Sequence, residues 1–255
     1  MMRLTFLGTA PAVASADQDH IYLLLDGPAG FWLIDCGGSA AYQLLRMGYD
    51  PLNLQGIILT HGHADHIYGL PVFVQDLWLR GRRDPLPIYG NAPTIERTRA
   101  LLDLFVNEFM LGYVEYHVIS QSPGSLAVET PDFKVLSTPT VHSFPSHALR
   151  FEPKHSERVV VYSADTAPTA SVVELARGAD LLIHEASVLE TASLEIGHST
   201  AAEAASVAAE SGVPELWLVH SHPDLHRNGQ ELLQEAHRIF SGKLYLAKDK
   251  DQLEF

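Results

Sequence analysis

The chain has 255 residues, 46% of them hydrophobic, enough for one large domain or two small ones around a substantial core. Lys plus Arg number 17 against 31 Asp plus Glu, a formal net charge of −14, which disfavours nonspecific attraction to nucleic acid; such a substrate needs a local basic patch or bound cations. The single Cys36 excludes an intrachain disulfide and no apolar run is long enough to span a membrane, so the composition fits one domain over residues 1–255 in a reducing compartment.

In chain order, residues 3–8, 20–25 and 31–35 read as strands, 39–47 as a helix, and 56–60 as a short buried strand. Ile67 to Leu79 suits a helix or loop, and 94–111 reads as helical. Strands follow near 114–119, 126–129, 132–137, 147–152 and 158–163, then a helix at Ser171 to Arg177 and a buried strand at 180–184. Thr200 to Ser211 is an Ala-rich helix, 215–220 a strand, 229–240 a helix and 243–247 a last strand. Strands and helices in this mixture imply a layered α/β domain. Ala12-Val13-Ala14-Ser15-Ala16 has the look of a signal-peptidase site, but the apolar segment before it, Leu4 to Leu7, is too short for a secretory signal. A cytoplasmic protein is expected.

The strand at 56–60 runs directly into His61-Gly62-His63-Ala64-Asp65-His66, three imidazoles and a carboxylate within six residues. On a regular strand these side chains would alternate between faces, whereas on a tight loop at a strand end they can splay toward two neighbouring cations. Imidazole and carboxylate together suit Zn²⁺, with Mn²⁺ or Fe²⁺ nearly as well served. A His-rich surface turn or a structural zinc is the plainer reading. It is disfavoured by the presence of four donors, because structural zinc sites usually use cysteine and close every coordination position. Cys36 is expected to be a small packing residue rather than a nucleophile.

The H-x-H-x-D-H signature resembles that of the metallo-β-lactamase superfamily. The ribonuclease Z-like branch is more similar still, through Leu4-Thr5-Phe6-Leu7-Gly8-Thr9, Ile34-Asp35-Cys36-Gly37, Gln43-Leu44-Leu45-Arg46, Thr60-His61 through Gly69-Leu70-Pro71, and Pro87-Ile88-Tyr89-Gly90. Downstream, His184-Glu185-Ala186-Ser187 and Gly197-His198-Ser199-Thr200 resemble that branch's "HEAT" and "HST" loops. The resemblance covers nearly the whole chain. It implies a four-layer αββα sandwich with two divalent metal ions at one edge between the sheets.

The remaining ligands follow from position and resemblance together. His142, Asp165 and His220 each come just after an apolar strand, and they resemble the branch's third histidine, its metal-bridging aspartate and its last histidine. Carried over residue by residue, His61, His63 and His142 would hold one metal, Asp65, His66 and His220 the other, and Asp165 would join them. Two cations roughly 3.5–4 Å apart can share a water and lower its pKa toward neutrality, so the nucleophile would be a hydroxide held by the metals rather than a side chain. Asp65 could both bind a metal and orient that hydroxide. The resemblance also implies that Glu185 and His198 cooperate to protonate the leaving oxygen, the carboxylate holding the imidazole protonated and aimed; the alternative is a supporting role for both.

Most other histidines read as structural. His20, His117, His155, His226 and His237 are expected at the surface and His184 packed at a strand end. His147 and His222, each within a few residues of a candidate ligand, are either packing residues or substrate contacts. Arg80-Gly81-Arg82-Arg83 is the one cationic cluster, and a solvated turn is favoured there over a phosphate contact. Two departures from the branch bear on substrate. Only 23 positions separate His142 from Asp165, too few for the long arm with which ribonuclease Z proteins grip transfer RNA, and Ser221-His222-Pro223-Asp224-Leu225 stands where Ser-x-Arg-Tyr is common.

The expected function is therefore a binuclear metal-dependent hydrolase, a phosphodiesterase acting on an RNA 3′ end or a small phosphodiester. Its rivals are an ester, lactone or β-lactam hydrolase on the same scaffold, which the missing arm and acidic charge favour, and a non-catalytic binding module, against which the intact ligand set argues. Relatives of this kind often form dimers, so a homodimer is an open expectation. No membrane partner is expected.

Overall fold

The computed structural model describes residues 2–188, 197–224 and 229–255. One seven-stranded sheet contains β1 (Arg3–Gly8), β2 (Tyr22–Gly27), β3 (Gly30–Ile34), β4 (Leu54–Ile58), β5 (Leu86–Gly90), β6 (Val114–Val118) and β14 (Gln252–Glu254), in the order β14-β1-β2-β3-β4-β5-β6. The other contains β7 (Ser125–Glu129), β8 (Phe133–Pro139), β9 (His147–Pro153), β10 (Val160–Tyr162), β11 (Leu181–Glu185), β12 (Glu215–Val219) and β13 (Lys243–Leu246), in the order β13-β12-β11-β10-β9-β8-β7. Each sheet is antiparallel on one side and parallel on the other. β3 through β6 pair in parallel, as do β10 through β13.

Parallel strands covered on both faces read as continuous apolar runs, and Gly56-Ile57-Ile58 and Leu181-Leu182-Ile183 are fully buried examples. Leu4, Phe6, Leu23, Leu25 and Ile58 of the first sheet share a core with Val135, Leu149, Phe151, Tyr162 and Ile183 of the second, so the sheets face one another. Leu24, Leu33 and Ile57 point the other way into a core shared with α1 (Ala40–Arg46), α2 (Ala64–Ile67), α3 (Leu70–Leu79), α4 (Ala92–Phe105) and α5 (Glu108–Leu111). Val161, Leu182 and Leu216 pack likewise on α6 (Ala170–Ala176), α7 (Ala201–Ser211) and the helix Gly229–His237. The result is the αββα sandwich.

Three local differences from expectation have physical causes. The helix expected over 94–111 is interrupted, since Val106 is extended and Asn107 takes a cap conformation before the short helix Glu108–Leu111. β5 carries Pro87, which argues against a strand in a sequence; here pairing with β4 begins only at Ile88. β14 has three residues and exists because Glu254, Leu253 and Gln252 pair with Arg3, Leu4 and Thr5 at the opposite end of the chain.

Candidate metal centre

The site lies beyond the carboxyl ends of the parallel strands, where an α/β layer leaves a crevice. β4 delivers the chain to Thr60 and then to buried His61, and the short helix Ala64–Ile67 buries Asp65 and His66 while His63 stays half-buried at the mouth. The opposite sheet adds His142 beyond β8, Asp165 beyond β10 and His220 beyond β12. Among the described residues, the non-glycine positions with positive φ are Asp35, Ala164, His220 and Lys250, and the first three belong to this crevice. Backbone held in that sparsely populated region is a feature of functional sites, because the surroundings must over-determine it.

All seven candidate ligands come together. Nε2 of His61 and Nε2 of His142 each lie 3.0 Å from Nδ1 of His63. Nε2 of His220 is 3.4 Å from Asp65 Oδ2, and Nε2 of His66 is 3.8 Å from the same oxygen. Asp165 Oδ2 stands between the two groups, 3.7 Å from His61, 3.9 Å from His142, 3.5 Å from His66 and 3.6 Å from His220. The donor atoms of His61, His63 and His142 lie within 4.8 Å of one another, and so do those of Asp65, His66 and His220.

The far side of each buried ring is fastened. His66 Nδ1 meets Asp35 Oδ2 at 2.8 Å, His142 Nδ1 the Gly197 carbonyl at 2.8 Å, His220 Nδ1 the Ser187 hydroxyl at 2.7 Å and His61 Nδ1 the Thr60 hydroxyl at 3.2 Å. Binding one ring nitrogen fixes the ring and leaves the other as the ligating atom. Asp35 is itself held by the Thr60 amide and hydroxyl. Gly197 has φ 75°, and a Cβ there would fall 2.4 Å from the His142 Cα, so only glycine lets that carbonyl reach the ring.

The electrostatics suit a cation. Burial holds His61 well below the ordinary histidine range and also lowers His63 and His142, leaving neutral rings with lone pairs aimed at a common point. Burial opposes the charge of Asp65, but the His220 hydrogen bond and the fields of His66 and His220 prevail and bring its carboxyl down to about 2. At His66, burial is overcome by Asp165 and Asp35, which stabilise positive charge there. His66 Nε2 and Asp165 Oδ1 are buried and have no hydrogen-bond partner, an expensive arrangement that a divalent ion between them would relieve. The donor set therefore fits a divalent metal.

Beside this cluster, His198 Nδ1 is 2.8 Å from Glu185 Oε1. Glu185 is fully buried and also accepts from the Thr166 amide at 2.8 Å and from the Ser187 hydroxyl at 2.5 Å. Burial works against a charge on His198, but Glu185 outweighs it and raises the imidazole to about 9. Its ring packs 4.8 Å from that of His142, with the side chain 19% exposed to the crevice.

The other candidates fall elsewhere. His147 is buried at the start of β9, where burial lowers it to about 4, and its backbone amide bonds Thr60, so it reads as packing. His184 is buried with Nδ1 on the Glu185 carbonyl. His222 is half-buried beside Asp224. His20 is half-buried, whereas His117, His155 and His237 are exposed; His226 lies outside the described residues. Arg80, Gly81 and Arg83 of the arginine cluster are exposed at a turn, as expected, and Arg82 is the exception. Arg82 is buried and donates to the carbonyls of Leu54, Asp84 and Pro85, Arg80 pairs with Asp76, and Arg83 lies over Trp78. The sequence reading missed Asp35, Thr60, Ser187 and Gly197 as functional residues. For Asp35 a signal existed, a carboxylate closing the apolar run Phe31-Trp32-Leu33-Ile34.

A family model described as "Beta-lactamase superfamily domain" matches residues 32–221. The chain belongs to the β-lactamase superfamily. Within it, the chain is 33% identical to the ribonuclease Z of Methanothermobacter thermautotrophicus, covering 94% of this chain and 92% of the relative, and 30% identical to that of Methanosarcina acetivorans, covering 100% and 98%. Among solved structures it resembles the metallo-β-lactamase fold protein YhfI from Bacillus subtilis, with TM-score 0.84 and 27% identity over 100% of this chain and 99% of the other. It also resembles the short form of human tRNase Z, with TM-score 0.78 and 25% identity over 99% and 98%. The archaeal alignment with the Methanothermobacter protein runs over 291 positions, more than the 255 residues of this chain, so that relative carries segments lacking here.

Proposed function

We propose that residues 1–255 form one binuclear metal-dependent phosphodiesterase domain that acts on an RNA 3′ end or a small phosphodiester. His61, His63 and His142 would hold one ion and Asp65, His66 and His220 the other, with Asp165 placed between the two sets. Zinc is the favoured metal, because five imidazoles and two carboxylates suit it and no thiolate is present. When bound, two such ions supply a water activated near neutral pH and neutralise charge on the phosphate. The chain does the rest. Asp65, ionised to low pH, orients the attacking water through its carboxylate. His198, protonated across the neutral range, donates from Nε2 to the leaving oxygen, and Glu185 keeps Nδ1 occupied so that the ring cannot turn.

The observation that carries this reading is the Glu185–His198 pair beside the ligand cluster. An acid poised near 9 serves an alkoxide leaving group, which needs a proton. The ribonuclease Z names of the relatives support the same chemistry. A lone, fully buried Cys36, its thiol pushed up by burial, fits a cytoplasmic setting, and among the described residues no helix is long and apolar enough to cross a membrane.

One observation favours a second reading, an ester, lactone or β-lactam hydrolase. The 23 positions from His142 to Asp165 include β9 and β10, leaving too few residues for a long RNA-gripping arm. The test is hydrolysis of bis(p-nitrophenyl) phosphate by metal-loaded protein beside its His198→Ala variant. Turnover that collapses in the variant supports the phosphodiesterase. Absence of turnover with two metals bound, together with hydrolysis of p-nitrophenyl acetate or a lactone, would transfer the assignment to the second reading.

A further inference from the structure

We propose that Arg97, seated on the ring of Phe144, binds the phosphate adjacent to the one cleaved, so that the enzyme favours nucleotide chains with at least two phosphates. The proposal rests on the phosphodiesterase reading above and adds a surface that selects the substrate. Arg97 lies on α4, is exposed, and donates from Nη1 to the Gly62 carbonyl at 3.0 Å, between ligands His61 and His63. Its guanidinium carbon sits 4.1 Å above the Phe144 ring centroid, and that ring is 5.7 Å from the ring of His63. The guanidinium is therefore within about 10 Å of the half-buried ligand at the mouth of the crevice.

Gly62 makes the arrangement possible. A Cβ there would lie 3.0 Å from the Phe144 ring and 3.2 Å from the Arg97 Cδ, so a larger residue would push both away from the metal loop. Gly62 and Phe144, from two other segments, thus hold the Arg97 cation at the rim. In a chain of net charge −14, whose Arg80, Arg82 and Arg83 are committed to protein partners, this placement has a chemical use. One N–H fixes the guanidinium to the loop and the aromatic face fixes its plane, leaving edge donors of a planar fork for phosphate oxygens. The scissile phosphate belongs to the metals, so the anion Arg97 meets is the next one along the chain.

The test compares fluorescein-labelled UpU, with one phosphodiester, and UpUpU, with two, binding to metal-loaded protein, followed by fluorescence anisotropy across a salt series. In wild type, UpUpU binds more tightly. In Arg97→Ala the loss on UpUpU exceeds the loss on UpU roughly tenfold, and the salt slope for UpUpU falls by about 0.7. Arg97→Lys recovers part of the binding, keeping charge without the fork. Arg99→Ala, on the same helix with its guanidinium over Tyr116, matches wild type on both ligands. Equal losses on the two ligands, or no loss on either, would overturn the proposal, as would wild-type protein that does not distinguish UpUpU from UpU. Turnover of bis(p-nitrophenyl) phosphate in the same preparations separates the two failures. Its absence in wild type counts against the phosphodiesterase, whereas its presence with unaltered Arg97→Ala binding counts against the Arg97 contact alone.

Discussion

Asp35 and Glu185 are two buried carboxylates at carboxyl ends of parallel strands, one in each sheet, and each meets an imidazole Nδ1 at 2.8 Å. The same device serves different ends because of what the far nitrogen faces. His66, fully buried, turns Nε2 toward Asp165 and Asp65, where a cation belongs. His198 is partly open to the crevice and borders the ligands, where a proton can be passed to substrate. On the proposed function, a carboxylate–imidazole pair becomes a metal clamp or a proton donor according to its position relative to Asp165.

Variants can break or sharpen this contrast. The largest effect is expected for Asp165→Ala, which removes the group between both ligand sets. Bound metal falls to one ion per chain or fewer by elemental analysis, and diester hydrolysis drops at least about a thousandfold, well past the ~10–100-fold typical of outer-shell changes. His198→Ala retains two ions but loses about 10²–10⁴ in kcat, the usual worth of a positioned acid. Asp35→Asn weakens metal affinity by about 10–100-fold in a chelator competition, because the amide is neutral and has one accepting oxygen to share between Thr60 and His66, where the carboxylate uses two.

Glu185→Gln is the sharper companion. Its ions stay bound while kcat falls by about 10–100-fold, and its pH profile moves. With His198 as the acid, wild type is active while that ring is protonated, so kcat is expected to fall as pH rises through about 9. Glu185 is the group that raises His198, so the alkaline limb of the variant shifts to lower pH. An unmoved limb would assign that limb to another group. Smallest for catalysis is Arg82→Met, which strips three carbonyls of their donor. It should cost about 2–3 kcal/mol of stability and lower Tm by roughly 5–10 °C in a thermal melt, with kcat/KM maintained.

Much of the site was legible in the sequence where its residues are neighbours. His61 to His66 declares itself because four donors share one loop. His142, Asp165 and His220 are single residues after apolar strands, and only the resemblance separated them from ordinary loop positions. Ser187 and Gly197 were illegible because their use arises on folding, Ser187 reaching His220 across 33 positions and Gly197 reaching His142 across 55. β14 needed its partner strand at the other end of the chain, and the buried Arg82 took a role that its charge does not suggest.

The most direct test of the account measures bound metal and kcat on bis(p-nitrophenyl) phosphate together in Asp35→Asn and Glu185→Gln. The account predicts that metal and activity fall together in the first, whereas in the second two ions remain and only activity falls. Equal metal loss in both variants, or full activity in Glu185→Gln, would contradict the division of labour between the two carboxylates.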